Sequence, residues 1–233
     1  MVPAIPCDAG PLGILPEAEL RDILVAPEHG TAWEESLPLL AGLALPEMTG
    51  GVNPGDQRAL FHLVLALQPR AILEIGTHIG CSTVNLALAL RRTGGRLLSV
   101  DVQDVNDPAA KPWLPYGASQ SPRAACEKIG CDPIVKFQVA DSLSFFRSCT
   151  ETFDLIFLDG LHCAHQVYQE VPQALARLNR GGFIVLHDYF PALRPLWSNN
   201  YVIPGPFLAV QRLIDEGARL RSEERRVGKE CRL

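Results

Sequence analysis

The sequence predicts an α/β fold: a doubly wound, mostly parallel β-sheet with helices on both faces. Five short apolar runs recur along the chain, and helical patterns lie between them. The runs lack the in-and-out alternation of a half-exposed sheet, so both faces are predicted to be covered, as in parallel sheets. The predicted strands are AILEIG, RLLSVD, IVKFQVAD, FDLIFLDG and GFIVLHD.

The predicted helices follow from apolar residues at helical spacing. Two short amphipathic patterns, PEAELRDILV and WEESLPLLAGL, predict a helical cap over residues 1–51 that contributes to the substrate site. The main domain is assigned to residues 52–220 and begins with a helix that has Pro54 near its start. Four further helices are predicted at residues 82–92, 122–129, 143–148 and 164–178.

Composition excludes several classes of partner. With 233 residues, 47% of them hydrophobic, the chain can bury one sizeable core. A net charge of −5 and a pI near 5.7 argue against nucleic acid, because phosphate binding needs a basic surface. No apolar run reaches the ~18 residues of a membrane span, and the first residues lack a secretion signal. Seven cysteines without metal-type spacing indicate reduced thiols, so we expect a cytoplasmic protein.

An acidic residue lies at or near the end of each predicted strand. A buried parallel sheet has no structural need for such acids, although Asp141 beside Ser142 is also a candidate helix cap. Ligands of doubly wound sheets bind beyond the carboxyl ends of the strands. The pattern therefore predicts a ligand that carries hydroxyl, amino or metal groups. The acids are Glu74, Asp101, Asp141, Asp159 and Asp188.

The first strand leads into a glycine loop with the spacing E-x-G-x-x-x-G, formed by Glu74, Gly76 and Gly80. This spacing differs from G-x-G-x-x-G, in which a helix N-terminus binds a pyrophosphate, so a nucleotide-dependent oxidoreductase is the weaker hypothesis. Glycines let a ligand approach the backbone, and an acid beside them repels phosphate but suits a cation. A tight turn without a ligand is the alternative.

Five segments together carry a resemblance to a known family: EIGTHIGCST, LLSVDVQD, VADS, FDLIFLDGLH and LNRGGFIVLHDYF. They resemble the class I S-adenosylmethionine (SAM)-dependent methyltransferases. Within these they are similar to the small-molecule O-methyltransferases, in particular a bacterial branch with D-G-x-H and H-D-Y motifs. The resemblance covers about residues 54–218. It implies a Rossmann-like methyltransferase fold, SAM as the cofactor and a small hydroxylated molecule as the methyl acceptor.

The resemblance also implies which residues bind SAM. Gly76 and Gly80 would line its methionine part, and Glu74 would lie near its ammonium group. Ser82 would either hydrogen-bond the methionine carboxylate or cap the following helix. Asp101 would accept hydrogen bonds from both ribose hydroxyls. The implied set is Glu74, Gly76, Thr77, Gly80, Ser82, Asp101, Asp141, Ser142 and Asp159, with Asp141 and Ser142 at the adenine.

Activation of the acceptor needs a base, a metal ion or both, because a neutral hydroxyl is a poor nucleophile. The resemblance implies that Asp159 and Asp188 hold a divalent cation such as Mg²⁺, with His187 or Tyr189 as the third ligand; we favour His187. It also implies His162 as the general base, acting with Asp159. Histidine suits this role because it changes charge near neutral pH.

Plainer interpretations of the same residues stay open. LDGLH is also compatible with a strand-ending turn in which His162 only caps or packs. In the long segment 102–120, Trp113 and Tyr116 would either cover the cofactor or pack into the cap. Trp197 and Tyr201 are a second candidate for the wall of the acceptor site.

Two other functions are alternatives to a metal-assisted O-methyltransferase. One is a metal-independent methyltransferase in which the same acids only orient the acceptor. The other is a truncated or inactive cofactor-binding protein. Full activity after EDTA treatment would favour the first, and cofactor binding without methyl transfer would favour the second.

Residues 221–233, RSEERRVGKECRL, are predicted to be a non-native tail. They are charge-dense, and their codons can be written as a string that resembles a common sequencing-library adapter; an ordinary solvated tail is the alternative. Folds of this class normally finish with two more strands, which this sequence is predicted to lack. The fifth strand would then be an exposed apolar edge, so we expect self-association, including a homo-oligomer.

Overall fold

The computed structural model describes residues 17–46, 51–195 and 198–216. The predicted tail at residues 221–233, residues 1–16 and 47–50 of the predicted cap and the candidate Trp197 lie outside these ranges. Within them, none of the helices combines the length and the apolar character that crossing a membrane requires.

The described residues form eight α-helices and five strands. The strands are β1 Ala71–Ile75, β2 Arg96–Asp101, β3 Val135–Val139, β4 Phe153–Leu158 and β5 Leu178–Leu186. The helices are α1 Glu17–Val25, α2 Pro27–Leu43, α3 Pro54–Leu67, α4 Cys81–Thr93, α5 Pro122–Lys128, α6 Ser142–Ser148, α7 Ala164–Leu175 and α8 Pro204–Asp215.

The sheet has the strand order β3-β2-β1-β4-β5. β1 pairs with β2, β2 with β3, and β4 with β5, in each case in parallel. Every parallel connection is made through a helix, because parallel neighbours need a crossover between them. The predicted α/β fold class, a mostly parallel sheet with helices between the strands, is confirmed.

The chain divides into two compact units, of which the first comprises residues 18–141. All five residues of β1 are buried, and so are ten consecutive residues of α4, Cys81–Leu90. Burying each large apolar side chain contributes roughly 1.5–3 kcal/mol, so this strand and helix form the centre of the unit. The boundary predicted at residues 51 and 52 lies inside this unit and stays a prediction.

Local caps fix where α3 and α5 begin. Asn53 accepts hydrogen bonds from the backbone N–H groups of Gly55 and Asp56, and Pro54 occupies the first turn of α3. Ser121 caps α5 in the same way by accepting from Ala124 N. A side-chain oxygen at the N-cap accepts hydrogen bonds from backbone N–H groups that otherwise have no partner in the helix. This typically stabilises the helix by about 1 kcal/mol.

The second unit includes residues 142–216 and differs from the predictions in one place. The sequence predicted a helix up to residue 178 and a strand from residue 182, whereas α7 ends at Leu175 and β5 already begins at Leu178. The register shifts from Phe153–Leu178 to Leu155–Phe183, so β5 contains an irregularity. A bulge of this kind interrupts the apolar pattern, which is why the early part of β5 was missed.

Candidate active site

The glycine loop follows β1 and contains two glycines with left-handed backbones. Gly76 has φ 97° and Gly80 has φ 85°. A Cβ atom on Gly80 would lie 3.0 Å from the Cβ of Pro122, so a larger residue would meet both an unfavourable φ and a tight contact. Glycine is therefore required at position 80 by both the backbone conformation and the contact with Pro122.

Asp101 ties this loop to the end of β2. Its Oδ2 accepts hydrogen bonds from the backbone N–H groups of Thr77 and His78, both at 2.9 Å. Its Oδ1 accepts from Gln103 N at 3.0 Å. A carboxylate has about four acceptor positions, so Asp101 can still accept from a further donor such as a ligand hydroxyl.

Glu74 lies beneath the loop and is fully buried. Its carboxylate accepts hydrogen bonds from the hydroxyls of Ser82 at 2.5 Å, Thr83 at 2.6 Å and Ser99 at 2.5 Å. Hydroxyl donors compensate the burial of a charged group, and here they link β1, β2 and α4. The N-cap position of α4 is Gly80, so Ser82 does not cap this helix, and its predicted contact with the methionine carboxylate stays a prediction.

The long segment after β2 packs against the glycine loop. Trp113 is buried in a cluster with Ile79 and Cys81 of the loop and the start of α4. The ring of Tyr116 makes an edge contact with His78, with the ring centroids 4.2 Å apart. Both aromatic side chains thus contact the loop that the sequence assigned to the cofactor.

Ser142, at the start of α6, is held by α7. Its hydroxyl donates to Glu170 Oε1 at 2.5 Å and accepts from Gln166 Nε2 at 2.8 Å. Glu170 is buried, and the sequence reasoning missed it. The only local signal for it was its place beside Val167 and Ala174 on one helical face. The neighbouring Asp141 is exposed.

A second cluster, the histidine–aspartate cluster, consists of Asp159, His162, His187 and Asp188. His187 Nδ1 lies 2.7 Å from Asp159 Oδ1 and 3.6 Å from Asp188 Oδ2. His162 Nε2 lies 3.7 Å and 3.4 Å from the same two oxygens. The four side chains are 14–31% exposed, so the cluster is partly shielded from water but open to a ligand.

The ends of two paired strands bring this cluster together. Asp159 follows β4 directly, while His187 and Asp188 follow β5, and His187 N donates to Leu158 O at 3.0 Å. Asp188 has a left-handed backbone with φ 54°, which Asp tolerates better than most residues. Its carboxylate thereby reaches the same place as that of Asp159.

The loop that carries His162 is positioned by α8. A Cβ atom on Gly205 would lie only 1.9 Å from the carbonyl oxygen of His162 and 2.8 Å from Ala164 N. Only glycine permits so close an approach between two backbones. Gly205 therefore helps to determine the position of the His162 backbone, from which the imidazole side chain extends.

One atom each from Asp159, His162 and Asp188 lies within 4.8 Å of the others, a grouping that can hold a metal ion. The structure thus gathers four of the predicted acceptor-site residues, with two histidines facing the same two carboxylate oxygens. Tyr189, the other candidate third ligand, is buried with its ring 5.6 Å from Phe207. Tyr201, predicted for the acceptor wall, is exposed.

The chain matches a family model and is similar in fold to several solved methyltransferase structures. A family model described as a methyltransferase domain matches residues 73–189, just over half of the chain. The fold is similar to an O-methyltransferase from Bacillus cereus in complex with SAH, with 23% identity, TM-score 0.54, and coverage of 81% of this chain and 79% of that one.

Two other crystal structures are comparably similar. The O-methyltransferase TomG from Streptomyces achromogenes, in complex with SAM, is 21% identical with TM-score 0.53, covering 80% of this chain and 77% of that one. The SAH-bound methyltransferase PaMTH1 from Podospora anserina is 17% identical with TM-score 0.52, covering 94% and 84%. At these identities the likeness shows the fold, whereas the family follows from the matched model. The chain therefore belongs to this methyltransferase family and has the class I SAM-dependent methyltransferase fold.

Proposed function

We propose that this methyltransferase uses SAM to methylate a hydroxyl group of a small molecule, with help from a divalent cation. The observation that carries the proposal is the histidine–aspartate cluster, in which each of two imidazole nitrogens lies 2.7–3.7 Å from the same two carboxylate oxygens. Oxygen methylation requires removal of a proton from the acceptor, and this cluster contains groups suited to that task.

The glycine loop and the acids beside it fit SAM. Gly76, with its left-handed backbone, is partly exposed and suits close approach to the backbone, and Asp101 has acceptor capacity left for a ribose hydroxyl. The negative charge suits a cationic cofactor and disfavours a pyrophosphate. We assign the adenine end to Asp141 and Ser142. Bound SAM supplies a methyl group on a good leaving group, so the protein needs no covalent intermediate.

Glu74 fits a supporting role better than direct contact with the cofactor. It is fully buried, and three hydroxyls from β2 and α4 donate to it. We propose that this carboxylate holds the glycine loop in the shape that receives the methionine part of SAM. Thr77 joins the same network, since its hydroxyl lies 2.6 Å from that of Ser99.

The cluster beyond β4 and β5 would handle the acceptor. Asp159 and Asp188 offer the oxygen ligands that divalent cations prefer, and His162 and His187 are the two candidates for a third ligand. Such an ion, when bound, would make the acceptor hydroxyl more acidic. His162 would act in one of two ways: Nε2 either takes the hydroxyl proton or holds the ion.

A metal-independent methyltransferase is the second candidate. It is favoured by the 2.7 Å separation between His187 Nδ1 and Asp159 Oδ1, which brings an imidazole directly beside a carboxylate. Such a pair can move a proton without an ion. In this version Asp188 would only orient the acceptor.

Calorimetry followed by a methyl-transfer screen tests these proposals. Tag-free protein should bind SAM and SAH, and then methylate at least one member of a panel of catechol, sugar and polyketide acceptors. EDTA should abolish this activity, and a divalent salt should restore it. Binding of SAM with EDTA-resistant transfer would select the metal-independent version, and failure to bind either compound would refute the proposed function.

A further inference from the structure

The histidine–aspartate cluster contains a donor set that an all-oxygen magnesium site would not have. His162 Nε2 and His187 Nδ1 both face the same two carboxylate oxygens, Asp159 Oδ1 and Asp188 Oδ2. Mg²⁺ prefers oxygen ligands and retains several waters, whereas imidazole favours zinc, iron, nickel and copper ions. Nitrogen donors at this position therefore favour a transition-metal ion over Mg²⁺.

The spacing of the donor atoms matches ligands that share one ion. With metal–ligand bonds of about 2.1 Å, adjacent ligands lie about 3.0 Å apart in an octahedral site and about 3.4 Å apart in a tetrahedral one. The Nε2 atom of His162 lies 3.7 Å from Asp159 Oδ1 and 3.4 Å from Asp188 Oδ2. Small side-chain rotations would suffice to place all three atoms around an ion.

His162 and His187 differ in how they meet the carboxylates. His187 Nδ1 lies 2.7 Å from Asp159 Oδ1, and its ring packs edge-on against Phe157 with the centroids 5.9 Å apart. His162 Nε2 lies at similar distances from both oxygens, 3.7 Å and 3.4 Å, and it is His162 that groups with the two acids as possible ligands. Residues beside a metal site commonly orient its ligands, and His187 lies in close contact with Asp159.

Resting on the proposed function, we infer that this site selects a transition-metal ion over Mg²⁺, with Asp159, Asp188 and His162 as the ligands. His187 is then a positioning residue that orients Asp159. A neutral imidazole has one acceptor nitrogen, so a His162 whose Nε2 binds the ion is not the base. The inference thus decides between the two roles that the proposed function leaves open for His162.

Metal binding to the tag-free full chain tests the inference directly. After removal of bound metal with a chelator, the protein is titrated by calorimetry with CoCl₂ and, separately, with MgCl₂. We expect Co²⁺ to bind at least about tenfold more tightly than Mg²⁺, with a visible absorption spectrum characteristic of nitrogen ligation. His162→Gln should lower the Co²⁺ affinity at least about tenfold, change the spectrum and alter Mg²⁺ binding much less.

Two further variants sharpen the assignment. His165→Gln is the matched control, because His165 is exposed and its Nε2 contacts Gln169 outside the cluster. It should leave both affinities unchanged. His187→Gln should weaken Co²⁺ binding but keep the spectrum of the wild-type protein. A spectrum lost with His187→Gln and kept with His162→Gln would overturn the ligand assignment.

The results separate this inference from the proposed function. Equal affinities for Co²⁺ and Mg²⁺, together with Mg²⁺-supported methyl transfer, would overturn the inference alone. Binding of neither ion, together with EDTA-resistant transfer, would overturn both the inference and the metal-assisted function. A Co²⁺ preference that depends on His162 supports the inference.

Discussion

The substitution Gly205→Ala tests whether the backbone of α8 positions His162. An alanine Cβ would lie 1.9 Å from the carbonyl oxygen of His162, whereas real Cβ atoms essentially never come closer than 3.0 Å to such an atom. The two backbones must therefore separate by about 1.1 Å, since neither contacting atom belongs to a flexible side chain.

The size of the expected effect follows from that displacement. Overpacking of this kind costs about 1–3 kcal/mol in the free energy of unfolding. A shift of about 1 Å in a reacting group can cost about 100-fold in rate. We therefore expect Gly205→Ala to fold, to unfold at a lower temperature and to lose about 100-fold in kcat/KM. Its affinity for Co²⁺ should also fall, because His162 moves away from Asp159 and Asp188.

The assay combines thermal unfolding, Co²⁺ calorimetry and methyl transfer to an acceptor found in the screen. Gly42→Ala is the matched control: Gly42 lies inside α2, and a Cβ atom there would meet nothing within 4 Å. This control should be neutral or slightly stabilising, because alanine favours helix by up to about 1 kcal/mol. If Gly205→Ala keeps the wild-type unfolding temperature, Co²⁺ affinity and rate, the positioning role of Gly205 is wrong.

Three further predictions concern the first unit. Glu74→Gln should destabilise the fold by about 3 kcal/mol, because hydrogen bonds to a charged group contribute about 1.5–3 kcal/mol each; the unfolding temperature should fall by about 6–12 °C. Asp101→Asn should weaken SAM binding at least about tenfold by calorimetry, whereas Asp104→Asn, a nearby exposed control, should not. Burial lowers the pKa of His62, whose Nδ1 lies 2.9 Å from Leu24 O, so acid should destabilise the fold.

The sign of the pH effect follows from proton uptake. Because the pKa of His62 is lower in the folded chain, the unfolded chain binds more protons below about pH 6.5, and stability falls as the pH drops through that window. His62→Gln should remove part of this slope in denaturant unfolding, and an unchanged slope would contradict the assignment. An unchanged unfolding temperature in Glu74→Gln would contradict the structural role of Glu74. An unchanged SAM affinity in Asp101→Asn would contradict the binding role of Asp101.

The last prediction concerns self-association through the edge strand β5. β5 lies at one edge of the sheet, and among the described residues no further strand pairs with it. Unpaired strand edges can pair with another chain, so we expect concentration-dependent self-association. Light scattering that reports a monomer across a wide concentration range would contradict this expectation.

Much of the fold was predictable because buried parallel strands have a distinctive composition. Runs such as AILEIG are apolar on both faces, and β1 is buried throughout. The early part of β5 was not predictable, because the register shift between Phe153 and Leu155 breaks the pattern and Gly181 and Gly182 resemble a turn. Glycine punctuation in a sequence does not distinguish a bulge from the end of a strand.

The sequence indicated some residues of the candidate site and not others. Acids at the carboxyl ends of strands were found from the sequence, since a parallel sheet brings all such ends to one edge. Their partners were not: Ser99 donates to Glu74 across 25 residues of sequence, and Glu170 accepts from Ser142 across 28. Such pairs have no fixed spacing, so no local pattern indicates them.

The sequence by itself determined the order of strands and helices along the chain, the glycine loop and the acids that follow the strands, because these depend on local periodicity and on backbone freedom. Only the tertiary structure decided that His162 and His187 face the same two carboxylates, and that Gly205 lies against the His162 carbonyl. Those contacts join residues from separate strands, loops and helices, and their distances are set by packing of the whole unit.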